Sequence, residues 1–340
     1  MRTLVLLIGA SLAAACTGTI GGGGGGEDGA DAAGAATLAI VTPAEGSVFA
    51  RESLSALGAL VAEVPVAIEK VGPIARIDVF SNDALSGEGD QVVAVIAQDG
   101  PAAIRVVGYD ADGAVIAEAS VGVVVQAPEV DDCYGWLDRY QLDYELGPNN
   151  EGVDQPVTVT TPINGMVYRY YYNEDPRSKF FMHCELAHAL AKAAPIMRER
   201  DVVEVLDIGV YNYRCIGGEG VPPDCPNGIS QHAYAKGIDI AGFTTSDDEF
   251  FSVNDDWVID GDGESTCGAA TEGPKDAFLH EIICTMKAQG VWNIALTPNY
   301  NGTHRNHFHV DVKTGSDFIE NEAGDELTIP TAPASACGIH

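Results

Sequence analysis

The chain has 340 residues, a length that predicts two domains, and hydrophobic residues make up 46% of it, enough for ordinary cores. Eighteen lysines and arginines stand against fifty acids, a formal charge of −32 at pH 7. A field of that sign repels nucleic acid and anionic membrane surfaces, which excludes such partners and points to a highly soluble exported protein.

Residues 1–15 predict a signal peptide: a short basic start at Met1-Arg2, a brief apolar core from Leu4 to Ile8, and an A-x-A cleavage pattern at Ala13 and Ala15. The apolar core is too short to span a bilayer. "SLAAAC" resembles a bacterial lipobox, which implies lipid on Cys16, although Leu12 stands one place earlier than the usual leucine. Thr17 is not the acidic residue that typically retains lipoproteins in the inner membrane. The expected location is therefore the cell envelope, as an outer-membrane lipoprotein; the alternative is a secreted protein cut at the same bond. Residues 16–36, with six consecutive glycines, read as a flexible tether.

From 37 to 127 the pattern is β. "IARIDVF" alternates, "QVVAVIA" and "AAIRVVGY" are apolar runs, and "DADG" is a hairpin turn signal. Short strands with turns between them predict an all-β sandwich. The segment resembles the immunoglobulin-like modules of bacterial surface proteins and carries no cluster of His, Cys or paired acids. Residues 128–132 read as a short linker.

From Cys133 onward the composition shifts to aromatics, cysteines and histidines. "GMVYRYYYNED" reads as a strand. "KFFMHCELAHALAKAAPIMRERD" reads as a helix that Pro195 kinks or ends. "VVEVLDIGVYNY" is a strand. "KDAFLHEIICTMKAQG" is a second helix with Phe278, Ile282 and Met286 on one stripe and Gly290 as its stop. "NHFHVDV" is a strand. Residues 133–340 are thus an expected α+β domain, an antiparallel sheet with flanking helices. None of the eight cysteines has C-x-x-C spacing, and an exported chain favours disulfides. Cys215 and Cys225 close one short Gly/Pro-rich loop and form the expected pair; the other pairings stay open.

Three of eight histidines fall within "NGTHRNHFHV". Strand alternation puts His307, His309 and Asp311 on one face and Phe308, Val310 and Val312 on the other. Upstream, "SQHAYAKGIDIAGF" carries His232 and Asp239. Two nitrogens and one oxygen, with a fourth place left open, is a catalytic zinc pattern. His183, His188 and His280 lie in expected helices and read as surface or packed residues.

"YNYRC…ISQHAYAKGIDIAGF…THRNHFHVDV" resembles the extensin-like C-terminal domain of bacteria, a family similar in turn to zinc D-alanyl-D-alanine peptidases and murein endopeptidases. The shared signature is S-x-H-x(6)-D followed by H-x-H, and "MHCELAHALAKAAPIM" adds a helix with Cys184 in place. The resemblance implies His232, Asp239 and His309 as zinc ligands and His307 as the other active-site histidine. It implies Arg214 as the residue that orients a substrate carboxylate, and His304 as a neighbour of the ligands. Two positions depart. Ala235 stands where the motif often has Gly, and Asn306 where many relatives carry the carboxylate expected to act as general base. Either His307 or His304 takes that role, or the protein binds zinc with little hydrolysis.

The expected function is zinc-dependent hydrolysis of an amide bond in peptidoglycan stem peptides, by a protein that meets the membrane only through lipid on Cys16. The alternative is a non-catalytic, zinc-containing peptidoglycan-binding or structural envelope protein.

Overall fold

A computed structural model describes residues 35–260 and 265–320. The signal peptide, Cys16, nearly all of the tether, Cys337 and His340 lie outside these described residues. The chain divides into two compact units, one ending at Glu129 and the other beginning at Val130, with the short stretch Ala56–Ala59 belonging to the second.

The first unit is built from strands alone. β1 (Thr37–Thr42), β3 (Ser53–Leu54) and β7 (Gln91–Ile96) all pair with the long β4 (Leu60–Val71). β2 (Ser47–Ala50), β9 (Val115–Gln126), β8 (Gly100–Tyr109), β5 (Arg76–Ser81) and β6 (Ala84–Glu88) form a second sheet in that order. Alternation sets the inner faces: Val64 and Val66 on β4 are buried while Glu63 and Pro65 face water. They meet Val79, Ile104 and Val106 of the other sheet in one core, which makes the unit a sandwich. The "DADG" signal does turn the chain between β8 and β9. Asp110 Oδ1 accepts from the backbone of Asp112 and Ala114, both at 2.9 Å.

The second unit mixes helices with two sheets. Helix α1 (Cys133–Arg139) precedes β10 (Tyr144–Leu146), β11 (Pro156–Thr160), β12 (Val167–Tyr170), β13 (Lys179–His183) and helix α2 (Cys184–Arg198). Then come β14 (Val202–Gly209), β15 (Gly237–Thr245), β16 (Phe250–Ser252), helix α3 (Val253–Asp256), helix α4 (Pro274–Ala288), β17 (Ile294–Leu296), β18 (Phe308–Asp311) and β19 (Phe318–Glu320). β10, β11 and β13 form a small antiparallel sheet. The main sheet runs β12-β14-β15-β18-β17-β19, with β16 also on β15. It is mixed and not antiparallel as expected, because β12 pairs with β14, and β17 with β19, in parallel.

The structure corrects three local expectations. The helix expected from Lys179 begins only at Cys184; "KFFMH" is strand β13, because Phe180 and Met182 alternate into the core. His183 is therefore not helical. It caps α2, its Nδ1 accepting the Glu185 N–H at 3.0 Å while Nε2 bonds Asp154 at 2.9 Å. Pro195 does not end α2, which runs on to Arg198. On α4 the buried stripe is Leu279, Ile282, Ile283 and Met286, with Phe278 at its margin. His188 and His280 are packed, stacked on Trp136 and Trp257 at ring distances of 4.7 and 3.8 Å.

Three disulfides join Cys133 to Cys184, Cys215 to Cys225 and Cys267 to Cys284. The first ties α1 to the start of α2 across 51 residues of sequence. Opening a loop of that length frees the unfolded chain by about 4 kcal/mol. Cys133→Ser with Cys184→Ser is thus expected to lower unfolding stability by roughly that amount in denaturant titrations; an unchanged midpoint would show that the crosslink adds nothing.

Candidate metal centre

Two adjacent strands set the site. β15 and β18 pair antiparallel with Asp239 directly opposite His309 and Gly237 opposite Asp311. Cross-strand neighbours stand about 5 Å apart at Cβ, so carboxylate and imidazole meet without any long reach. Gly237 fits closely there: a Cβ on it would sit 3.1 Å from His309 Cε1, so the ring would have to shift by a few tenths of an ångström.

His232 arrives from a short 3-10 turn, Gln231–Tyr234, whose start is capped by Ser230. The turn ends at Ala235 in the left-handed conformation (φ 51°, ψ 31°), which costs a residue with a Cβ about 1 kcal/mol. That is the place where the motif often has Gly, and the backbone explains why. His232 is held from both sides by the segment after β14: its Nδ1–H donates to the Val210 carbonyl at 2.8 Å, and its own carbonyl accepts the Asn212 N–H at 3.1 Å.

Three atoms converge. His232 Nε2 lies 3.1 Å from Asp239 Oδ1 and 3.1 Å from His309 Nδ1, and His309 Nδ1 lies 2.9 Å from Asp239 Oδ1. The far side of each ring decides what faces inward. Val210 offers only a carbonyl, so His232 carries its proton on Nδ1 and turns the Nε2 lone pair to the site. His309 Nε2 faces the buried Asp311 carboxylate at 3.2 Å, so its Nδ1 lone pair turns inward too. Two lone pairs and a carboxylate oxygen around one point repel each other unless a positive charge sits among them. A tetrahedral cation with bonds of about 2.0–2.1 Å needs ligand–ligand edges of about 3.3 Å, so the triangle closes on one with shifts of a few tenths of an ångström. His232, Asp239 and His309 are the one group of that kind among the described residues.

The alternative charge is a proton. Burial alone would lower the His309 pKa, but hydrogen bonds to Asp239 and Asp311 override it and push it up to about 9. Burial likewise disfavours charge on Asp239, yet the two imidazoles hold its carboxyl well below the usual range.

His307 sits just before β18 begins, yet faces the site, its Nε2 3.6 Å from Asp239 Oδ1. Its Nδ1–H donates to Asn306 Oδ1 at 2.9 Å, which leaves Nε2 as the unprotonated nitrogen. Burial lowers its pKa; Asp239 opposes this and the neighbouring imidazoles assist it, so the neutral ring is favoured at physiological pH. His304 lies farther out, its ring 5.2 Å from that of His307 and 6.1 Å from that of His309. Burial, then His307 and His309, hold its pKa down to about 4, and its Nδ1–H donates to Asn301 at 2.8 Å.

Two cavities meet at Arg214, His232 and Asp239. One, of about 460 Å³, is walled by Tyr170, Phe180, Phe181 and Tyr211. The other, of about 680 Å³, is lined by His304, His307, Tyr300, Lys313, Leu296 and Phe318. The structure therefore brings Arg214, His304 and His307 to the rim of the triangle, all six expected site residues in one cleft. Cys16 lies outside the described residues.

Residues 174–319 match the family model for the extensin-like protein C-terminus. The matched segment contains the whole His/Asp triangle, Arg214 and both outer histidines, while α1 and β12 precede it. No curated protein matches the chain. Among solved structures, fibronectin(III)-like modules of Clostridium thermocellum CbhA are 17% identical, with a TM-score of 0.22, over 26% of this chain and 96% of that one. A CARDB domain from Pyrococcus furiosus is 20% identical, with a TM-score of 0.17, over 27% of this chain and 96% of that one.

Sequence reasoning missed three contributors within the matched segment. The Val210 carbonyl that orients His232 has no sequence signal, since any residue supplies one. Asn306 was seen only as a lost carboxylate and not as the group that orients His307. Arg177 holds the buried Asp207 with two hydrogen bonds, at 2.8 and 2.6 Å, behind the site. An aspartate at a core-facing place in the apolar run "VVEVLDIG" was the available clue.

Proposed function

We propose that the second unit is a zinc-dependent amide hydrolase of the cell envelope that acts on peptidoglycan stem peptides. The observation that carries this reading is the convergence of His232 Nε2, His309 Nδ1 and Asp239 Oδ1 where two cavities meet. Two imidazoles with one carboxylate suit zinc, and three protein ligands leave a place for chemistry. The S-x-H-x(6)-D and H-x-H signature, which resembles that of zinc D-alanyl-D-alanine peptidases, supports the same reading. Zinc held there would polarise an acyl carbonyl and lower the pKa of water.

The chain's own residues divide the remaining work. His307, neutral and with Nε2 unprotonated, accepts a proton beside Asp239. Arg214 has no side-chain partner among the described residues and stands where both cavities open. Its planar fork pairs with a carboxylate through two hydrogen bonds, which fits the free end of a peptide. His304, neutral at physiological pH, extends the polar wall next to His307.

A second reading has one observation in its favour: Asn306 has no basic lone pair, so the protein binds stem peptides without cutting them. Incubation of the full chain with muropeptides, with and without zinc, followed by mass spectrometry, separates the two. Zinc-dependent loss of part of the stem peptide is expected; intact muropeptides would leave the binding reading.

Metal and proton compete for the same triangle. The His309 pKa is raised, so in metal-free protein the bound proton stabilises the fold below the unfolded value of about 6.5, and this is lost as pH rises through about 9. Zinc binding at neutral pH is then expected to release about one proton. Calorimetry in two buffers of different ionisation enthalpy measures it; no proton release would show that His309 is neutral before metal enters.

A further inference from the structure

We propose that the cavity walled by Tyr170, Phe181 and Tyr211 binds a sugar ring of the glycan strand, so that the protein engages the glycan as well as the stem peptide. The inference rests on the hydrolase reading above and adds a second ligand chemistry to the same cleft.

Three observations carry it. The first is a ridge of adjacent tyrosines. Tyr170 lines the cavity, its ring meets Tyr172 edge-on at 5.4 Å, and Tyr172 meets Tyr171 at 5.1 Å. Tyr172 and Tyr171 are 73% and 52% exposed, so the cavity wall continues as aromatic surface. Folding does not require three neighbouring tyrosines to face water; such a surface marks a contact site. A second aromatic pair lines the cavity, Phe181 packing edge-on to Tyr211 at 5.5 Å.

The second is charge. Arg177 opens on this cavity but is not available to an anion. It is paired twice with buried Asp207, and its guanidinium is covered by the rings of Tyr170 and Phe180, 4.8 and 4.3 Å from their centroids. The arm is therefore aromatic and neutral until Arg214 at its inner end. The other cavity carries the Lys313 ammonium and the polar His304 and His307 rings, and suits the charged peptide.

The third is the chemistry of what remains. A neutral ligand must present apolar faces to flat rings and hydrogen-bonding edges to Asn212 and to Tyr211, whose hydroxyl donates to the Glu151 carbonyl at 3.0 Å and keeps its lone pairs as acceptors. A pyranose does both, with C–H groups on its faces and hydroxyl or acetamido groups on its rim. The arm leads to His232 and Asp239, so a sugar here leaves its attached peptide at the triangle.

The test is calorimetry of the full chain with a peptide-free tetramer of N-acetylglucosamine, in zinc-loaded and zinc-stripped protein. Saturable binding of equal strength in both forms is expected. Tyr171→Ala with Tyr172→Ala, both on exposed side chains, is expected to weaken it about tenfold, with zinc content unchanged. Absence of tetramer binding by the native chain overturns the proposal, as does binding that the double substitution leaves intact, or displacement of the tetramer by a free stem peptide. Cleavage of that free peptide reads the hydrolase separately. Its absence with tetramer binding retained would remove the hydrolase and keep the sugar site, and the converse result would do the reverse.

Discussion

Replacing His309 by alanine is expected to weaken zinc binding on the order of 10²–10³-fold, because complete sites hold the metal with about 10–16 kcal/mol shared among their ligands. The substitution removes one corner of the triangle, the Nδ1 that faces both His232 Nε2 and Asp239 Oδ1. It also strips the buried Asp311 of an imidazole partner, leaving that carboxylate, among the described residues, the Lys313 N–H at 3.0 Å. Asp311→Asn separates the two effects. It keeps His309 and the shape of the pocket but offers a weaker acceptor to Nε2–H, and such outer partners typically account for about 10–100-fold in affinity. Titration against a chromophoric chelator, after reloading with zinc, gives all three affinities. Native protein that binds no zinc, or a His309→Ala variant that binds as the native chain does, would show that the three atoms converge for another reason.

His307→Ala is expected to reduce turnover of a muropeptide by about 10²–10⁴-fold with zinc content unchanged. The argument is geometric first. Among the described histidines that hold no corner of the triangle, His307 is the one whose nitrogen comes within 4 Å of Asp239, at 3.6 Å from its Oδ1. Burial lowers its pKa, which keeps it able to accept a proton at neutral pH. Asn306 presents Oδ1 to Nδ1–H and so decides which nitrogen is free. Asn306→Asp places a carboxylate in that position. It should raise the His307 pKa and move the acid limb of the pH–rate profile upward, since a nearby opposite charge favours the imidazolium. If the aspartate instead acts as base itself, the rate at neutral pH rises by about 10²–10⁴-fold and His307→Ala no longer matters in that background. Full activity in the single His307→Ala variant would remove His307 from the reaction.

The chain by itself determined whatever depends on near neighbours. Alternation in "HFHVDV" places His307, His309 and Asp311 on one face even though β18 begins a residue later than His307, because the direction of a side chain follows the local pleat. The short Gly/Pro-rich loop between Cys215 and Cys225 was legible for the same reason, as were the hairpin at "DADG" and the helix α4. Where two local patterns competed, as in "KFFMHCELAH", the boundary at Cys184 was not legible: both halves are apolar enough for a helix, and pairing of β13 with β11 decides the first. The tertiary structure alone decided what spans the chain. His232 and His309 are 77 residues apart, and only the pairing of β15 with β18 and the turn after Ser230 bring their rings together. Which nitrogen each ring presents depends on Val210, 22 residues before His232, and on Asp311 being buried. The parallel pairings, the crosslink from Cys133 to Cys184 and the Arg177–Asp207 pair are of the same kind. Local periodicity fixes which way a side chain points, but its partner is set by which distant strand the sheet adds next to it, and periodicity carries no information about that.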